Sequence, residues 1–317
     1  MNVFGRLGAR RNRSGKSASP ESAACPAVEA DFALGVPFGY TPALKTAPRI
    51  GAMIHIYFPE LACEFERILH HLGPNVKIMI TTDTAGKRDS IHQVFSGWPA
   101  EQLEVCLVEN RGRDIAAKVT VFNSRFVEFD LILFLHSKAS EHSPDGIGWR
   151  ETLVSGLAGS VEVVNSILAV FEAEPGTGMI FCQHHEPIRQ FISWRSNFNN
   201  AAKIARRWGL RLNEPGLFDF PSGSMFWARP AALQPILSLG LTALNFPPEE
   251  APLDGTMAHA IERLFALSAE YAGYSWIKVA APDHYRHRET IVTPSSDAQL
   301  RAFVASHQRR LMDTMVR

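Results

Sequence analysis

From Ile50 onward the chain alternates between two hydrophobic rhythms. IGAMIHIYF, VKIMITTDT, LEVCLVEN and DLILFLHSK are short apolar runs bounded by turn residues, the pattern of buried strands. Between them lie longer stretches with helical spacing. PELACEFERILHHLG opens on Pro59 and closes on Gly73, AGKRDSIHQVFSGWP follows the second strand, and DIAAKVTVFNSRFVEF runs from Asp114 to Phe129. Strand and helix in strict alternation predict parallel strands with right-handed crossovers, and so an open α/β sheet flanked by helices. Such sheets take ligands at the carboxyl ends of their strands. Thr82–Asp83, Glu109–Asp114 and His136–Lys138 should therefore share one rim.

After the fourth strand the rhythm changes. GWRETLVSGLAGSVEVVNSILAVFEAEP reads as one or two helices, GMIFCQ as a strand and SNFNNAAKIARRWGL as a helix. PSGSMFWARPAALQPIL is a strand feeding a helix, DGTMAHAIERLFALSAEYAG a longer helix, and YSWIKVA a last strand. The domain plan that follows has three parts. Residues 1–48 form a basic leader, expected to be disordered, in which Arg6, Arg10, Arg11, Arg13 and Lys16 precede the first acid, Glu21, and no signal-peptide core is found. Residues 49–292 form the α/β domain. Residues 293–317 form an amphipathic helix docked on it by its apolar face.

Composition narrows the function. With 317 residues, 46% of them hydrophobic, the chain can bury a large core. Thirty-two basic residues balance thirty-two acidic ones, which argues against a nucleic-acid partner bound through a broad basic face. The four cysteines are scattered without a C-x-x-C pair, as expected of thiols in a reducing, cytoplasmic compartment. No apolar run is long enough to cross a bilayer, so membrane contact would be peripheral, at the inner face of the cytoplasmic membrane. P-loop, G-x-G-x-x-G and G-x-S-x-G motifs are absent, and the histidines lack zinc spacing. No metal ligands are assigned.

The rim carries the candidate chemistry. Asn110, Arg111 and Arg113 surround Gly112 at the start of a helix that Asp114 can cap, a setting suited to an anion such as pyrophosphate. A structural turn with solvated arginines would read the same way. Lys138 and Arg150, from the neighbouring strand end and its loop, are expected to converge on the same place, and this favours the diphosphate. His136 ends a buried strand. Ser222, Gly223 and Ser224 permit close backbone approach, while Trp227 could face a sugar or be buried in the strand. Asp254 stands at a helix start, and His259 and Glu262 share a face of that helix, where capping and packing explain them equally well.

ENRGRDIA, LHSKAS followed by WR, FPSGSMFWARPAAL and LDGTMAHAIERL, in this order between about residues 50 and 280, resemble the rhamnan synthesis protein F family. The family looks like glycosyltransferases of the GT-A type, which implies an open, mostly parallel twisted sheet of nucleotide-diphospho-sugar transferase kind. His136-Ser137-Lys138 would occupy the slot where many such enzymes place D-x-D metal ligands. The departure implies that Lys138, with Arg113 or Arg150, replaces a divalent cation, so no cofactor is required. A Mg²⁺ or Mn²⁺ held by His136 and an acid elsewhere is the alternative. The resemblance implies inverting transfer of L-rhamnose or another deoxyhexose from a nucleoside-diphosphate donor, dTDP-rhamnose first, to a cell-surface polysaccharide or lipid-linked glycan. Asp83 would contact the nucleoside, Asp114 orient an arginine or the ribose, and Ser222, Gly223 and Trp227 shape the sugar pocket. Asp254 would be the general base, with Glu262 or His259 in reserve. The rival reading is a GT-A-like nucleotide- or glycan-binding component of a polysaccharide assembly complex that has lost its chemistry.

Overall fold

The computed structural model describes residues 31–137, 146–214, 216–248, 254–307 and 311–316. The first half follows the alternation in the sequence: β1 (Ala33–Gly35), β2 (Ile50–His55), α1 (Ala62–Leu69), β3 (Lys77–Thr82), α2 (Ala85–Val94), β4 (Leu103–Leu107), α3 (Arg113–Thr120) and β5 (Leu131–His136). Next come α4 (Trp149–Ala158), α5 (Val161–Ala173), β6 (Thr177–Cys182), α6 (Phe198–Arg207), β7 (Phe226–Ala228), α7 (Pro230–Leu237) and α8 (Met257–Tyr271). The chain closes through β8 (Ser275–Ala280), β9 (Ile291–Val292), α9 (Asp297–His307) and α10 (Met312–Met315).

The nine strands form one sheet in the order β4-β3-β2-β5-β7-β6-β8-β1-β9, parallel throughout except for β7. Alternate residues of each strand enter opposite cores, because side chains along a strand point to opposite faces. Ala52, Ile54, Leu133, Leu135 and Trp227 pack beneath α1, α4 and α5, where Leu300, Phe303 and Val304 of α9 join them. Met53, Ile132, Phe134 and Phe226 pack beneath α3, α6, α7 and α8. Burial on both faces explains why these strands read as continuous apolar runs. Among the described residues no single helix is long and apolar enough to cross a membrane; α4 and α5 meet at 65° and line the first core.

Two features position the site. Strand order reverses between β2 and β5, and a crevice opens where parallel strands diverge in this way. His55 and His136 are register partners at the carboxyl ends of those two strands. Because β7 is antiparallel to β5, with Phe134 opposite Phe226, the segment preceding β7 is carried to the same edge.

The structure corrects the expected margins. Ordered structure begins before Ile50: Ala33–Gly35 is a strand between β8 and β9, too short to show a period in sequence. Residues 1–30 lie outside the described residues. The helix expected over Asp114–Phe129 ends at Thr120 and resumes as a 3₁₀ turn, Asn123–Glu128. Thr120 Oγ1 donates to Ala116 O at 2.7 Å and competes with the ladder in a β-branched run. Trp227, a candidate for the sugar pocket, lies in the sheet core with its indole donating to Leu157 O at 2.9 Å. Replacing Trp227 by Phe should lower unfolding stability by about 1–3 kcal/mol, the usual penalty for stranding a buried carbonyl. Urea unfolding measures that loss; an unchanged midpoint would show that the indole hydrogen bond contributes nothing to the core.

Candidate active site

The crevice at the β2–β5 switch is a cavity of about 520 Å³, well within the range of small-molecule sites. Strand ends supply His55, His136 and Ser137. The start of α3 supplies Asn110, Arg113 and Asp114, the segment before β7 supplies Ser222, Gly223 and Ser224, and α8 with its lead-in supplies Asp254, His259 and Glu262. Ten of the residues singled out in the sequence thus share one cavity. Trp149, Phe191 and Phe220 add aromatic surface.

The turn before α3 is built from conformations that L-residues avoid. Gly112 has φ +61°, and a Cβ there would lie 2.5 Å from the Phe246 ring. Gly223, with φ +82°, is similarly confined by Leu153 and Trp149. Three described non-glycine residues have positive φ, namely Arg113, Arg195 and Ser224, and all three line this cavity. Such strain persists only where surrounding structure enforces it, and it gathers at functional sites.

A buried knot enforces it here. Lys118 Nζ donates to Asp114 Oδ2 and, at 2.6 Å, to Ser224 O, while Ser224 Oγ donates to Asp114. Burial alone would raise the Asp114 pKa, but the charges of His136 and Lys118 hold the carboxyl well below its usual range. His136 Nε2 meets Gly223 O at 2.7 Å, so this nitrogen carries a hydrogen. Gly223 N–H in turn donates to Glu262 Oε1 at 2.8 Å.

Cations meet acids on the α8 side. Arg113 Nη1 lies 3.1 Å from His259 Nε2, and Thr256 Oγ1 lies 2.8 Å from His259 Nδ1. Arginine only donates, so Nε2 accepts and the neutral ring is protonated at Nδ1. Burial and the Arg113 charge push the His259 pKa down to about 4. Asp254 accepts from Asn197 Nδ2 at 2.7 Å and stands 3.7 Å from Arg195 and 3.9 Å from Arg263. Its Oδ2 makes no hydrogen bond among the described residues. Burial would raise its pKa, but the Asn197 hydrogen bond and the Arg263 charge outweigh that and lower it.

Four sequence candidates fall elsewhere. Arg150 pairs with Glu64 of α1 at 3.3 Å. Arg111 turns to Glu109 at 2.8 Å and to Phe246 O. Asp83 holds Lys87 at 2.6 Å, and that ammonium covers Tyr57, so Asp83 stands behind the wall rather than in it. Trp227 is in the core. Lys138 lies outside the described residues. In their place the structure brings Arg195, stacked 4.9 Å over Phe191, and Arg263, 5.0 Å over Phe220. Arg263 sits inside the AIERL run beside Glu262; Arg195 left no signal in the sequence. The described residues contain no cluster of three metal-ligating side chains, and Asp114 is taken by Lys118 and Ser224.

A nine-stranded, mostly parallel sheet between helices, with a crevice at its switch point, is a fold of the GT-A-like class. The profile of the rhamnan synthesis protein F family matches residues 39–274, and the chain belongs to that family. It is 33% identical over 230 residues to the uncharacterized protein WxcX of Xanthomonas campestris pv. campestris strain B100, and equally to WxcX of strain ATCC 33913. The match covers 72% of this chain and 32% of each relative, so the chain spans about a third of their length.

His55 makes the site acid-sensitive. Burial pushes its pKa down to about 4. Its ring bonds Thr81 at 2.9 Å. A folded pKa below the unfolded value means the unfolded chain takes up the proton first, so stability is full above about pH 6.5 and is lost as pH falls towards 4. His55→Asn should flatten the urea-measured decline across that window by about 3 kcal/mol. An unchanged slope would show that His55 is protonated without cost.

Proposed function

We propose that the protein is a glycosyltransferase of polysaccharide synthesis, moving L-rhamnose or another deoxyhexose from a nucleoside-diphosphate sugar to a glycan or lipid-linked glycan. The observation that carries this reading is the gathering of Arg113, Arg195 and Arg263 with Asp254 and Glu262 in one strained cavity at the switch point of the sheet. Arg113, expected at the diphosphate from the sequence along with Lys138 and Arg150, would hold it together with Arg195, which takes the place expected for Arg150. The acceptor oxygen attacks the anomeric carbon as the bond to the diphosphate breaks, with inversion. Asp254 Oδ2 takes the hydroxyl proton, and the arginines stabilise the charge gathering on the leaving phosphate. His259, neutral and bonded to Arg113, acts as a positioning residue; Glu262 is the reserve base. dTDP-rhamnose is the first donor to test. Guanidinium groups supply the positive charge, so no step calls for a metal.

The loss of catalysis in favour of binding has its own support. The Asn197 amide and the Arg263 charge depress the basicity of Asp254, which suits an ion-pair partner as well as a base. Turnover separates the two. Incubated with dTDP-rhamnose and a glycan acceptor, the wild type should release dTDP in the presence of chelator. Arg195→Ala should lose about 10²-fold in kcat/KM, and Asp254→Asn at least as much, acting on kcat. Nucleotide binding without release would establish the non-catalytic reading.

A further inference from the structure

A chain of buried polar groups runs through the body of the sheet to the cavity wall, and the transfer proposed above makes no use of it. Asp31, just before β1, pairs with Lys278 of β8 and, at 2.7 Å, with Arg189. Lys278 Nζ lies 2.7 Å from Asp219 Oδ1. The same oxygen is 3.0 Å from His184 Nε2, and His184 Nδ1 is 2.9 Å from Ser222 Oγ. His184 is wholly enclosed. Ser222, although nearly buried, lines the cavity.

The order of donors along this chain is forced. Burial alone would raise the Asp219 pKa, but the Lys278 charge and the His184 hydrogen bond hold it well below the carboxylate range. An ionised carboxylate only accepts, so His184 Nε2 carries a hydrogen. Burial lowers the His184 pKa, which leaves the ring neutral and Nδ1 bare. Ser222 must therefore turn its one hydroxyl hydrogen inward onto Nδ1. It shows the cavity only lone pairs. Beside it, the carboxylate of Glu262 is an acceptor too, tied to Gly223 N–H.

We propose that Ser222 is a specificity-determining residue that accepts a hydrogen bond from a ligand hydroxyl, its polarity fixed by the His184–Asp219–Lys278 relay, with Glu262 as a second acceptor beside it. This wall selects a polyol with neighbouring hydroxyl donors, and it rejects carbonyl or phosphate oxygen at the same place. Only the identity of the molecule bearing the hydroxyl, a deoxyhexose on a nucleoside diphosphate, rests on the function proposed above. His184 and Asp219 are positioning residues.

Two measurements test it. Long-range ¹H–¹⁵N spectra of ring-labelled wild-type protein should show His184 protonated at Nε2 and bare at Nδ1. A hydrogen on Nδ1, or a doubly protonated ring at neutral pH, overturns the proposal whatever the protein binds. In calorimetry, Ser222→Ala should bind dTDP as the wild type does but dTDP-L-rhamnose about tenfold more weakly, the size of one neutral hydrogen bond. Asp219→Asn, whose amide can donate to Nε2, should move the His184 hydrogen to Nδ1 and cost the same sugar-dependent tenfold. Equal losses for dTDP and the sugar nucleotide, or no loss at all, contradict the assignment. If the wild type binds neither nucleotide, the nucleotide-sugar reading fails and the ring spectrum alone decides the polarity of Ser222.

Discussion

The buried contact among Asp114, Lys118 and Ser224 joins the two walls on which the site depends. Asp114 and Lys118 are one turn apart on α3, and Ser224 belongs to the segment that feeds β7. A buried ion pair adds little net stability, because desolvation offsets its attraction, yet removing one partner costs about 3–5 kcal/mol. Its value here is geometric. It holds Arg113 and Ser224 in left-handed conformations, and both residues line the cavity.

From that constraint the electrostatics follow. With Asp114 occupied by Lys118, its charge is spent inside the knot. The arginines are shared differently: Arg113 leans on a neutral His259, while Arg195 and Arg263 stand nearly 4 Å from Asp254, farther than a tight salt bridge. In the function proposed above, a diphosphate would compete with Asp254 for the half-exposed Arg195, and the carboxylate would grow more basic as it lost that charge. Binding of the donor and readiness of the base would then be linked in one pocket.

The central architecture was legible because β2, β3 and β5 are buried on both faces and leave uninterrupted apolar runs. β1 and β9 were not, since strands of three and two residues carry no period. The rim reading brought Asn110, Arg113, Asp114 and His136 to one place because parallel strands share a carboxyl edge. It could not tell which way a long side chain turns: Arg150 leaves α4 towards Glu64, and Arg111 turns to Glu109. Trp227 illustrates the same limit within a strand, where a two-residue period sends neighbours to opposite cores and neither to the rim. Arg195 comes from a 3₁₀ turn before α6, a placement set by tertiary packing alone.

The proposed transfer depends on where a diphosphate sits. A crystal structure of the protein soaked with dTDP measures that directly. The pyrophosphate should lie within hydrogen-bond reach of Arg113 and Arg195, with Arg195 drawn away from Asp254. Pyrophosphate bound outside the switch-point crevice, or bound with the Arg195–Asp254 contact untouched, would contradict it.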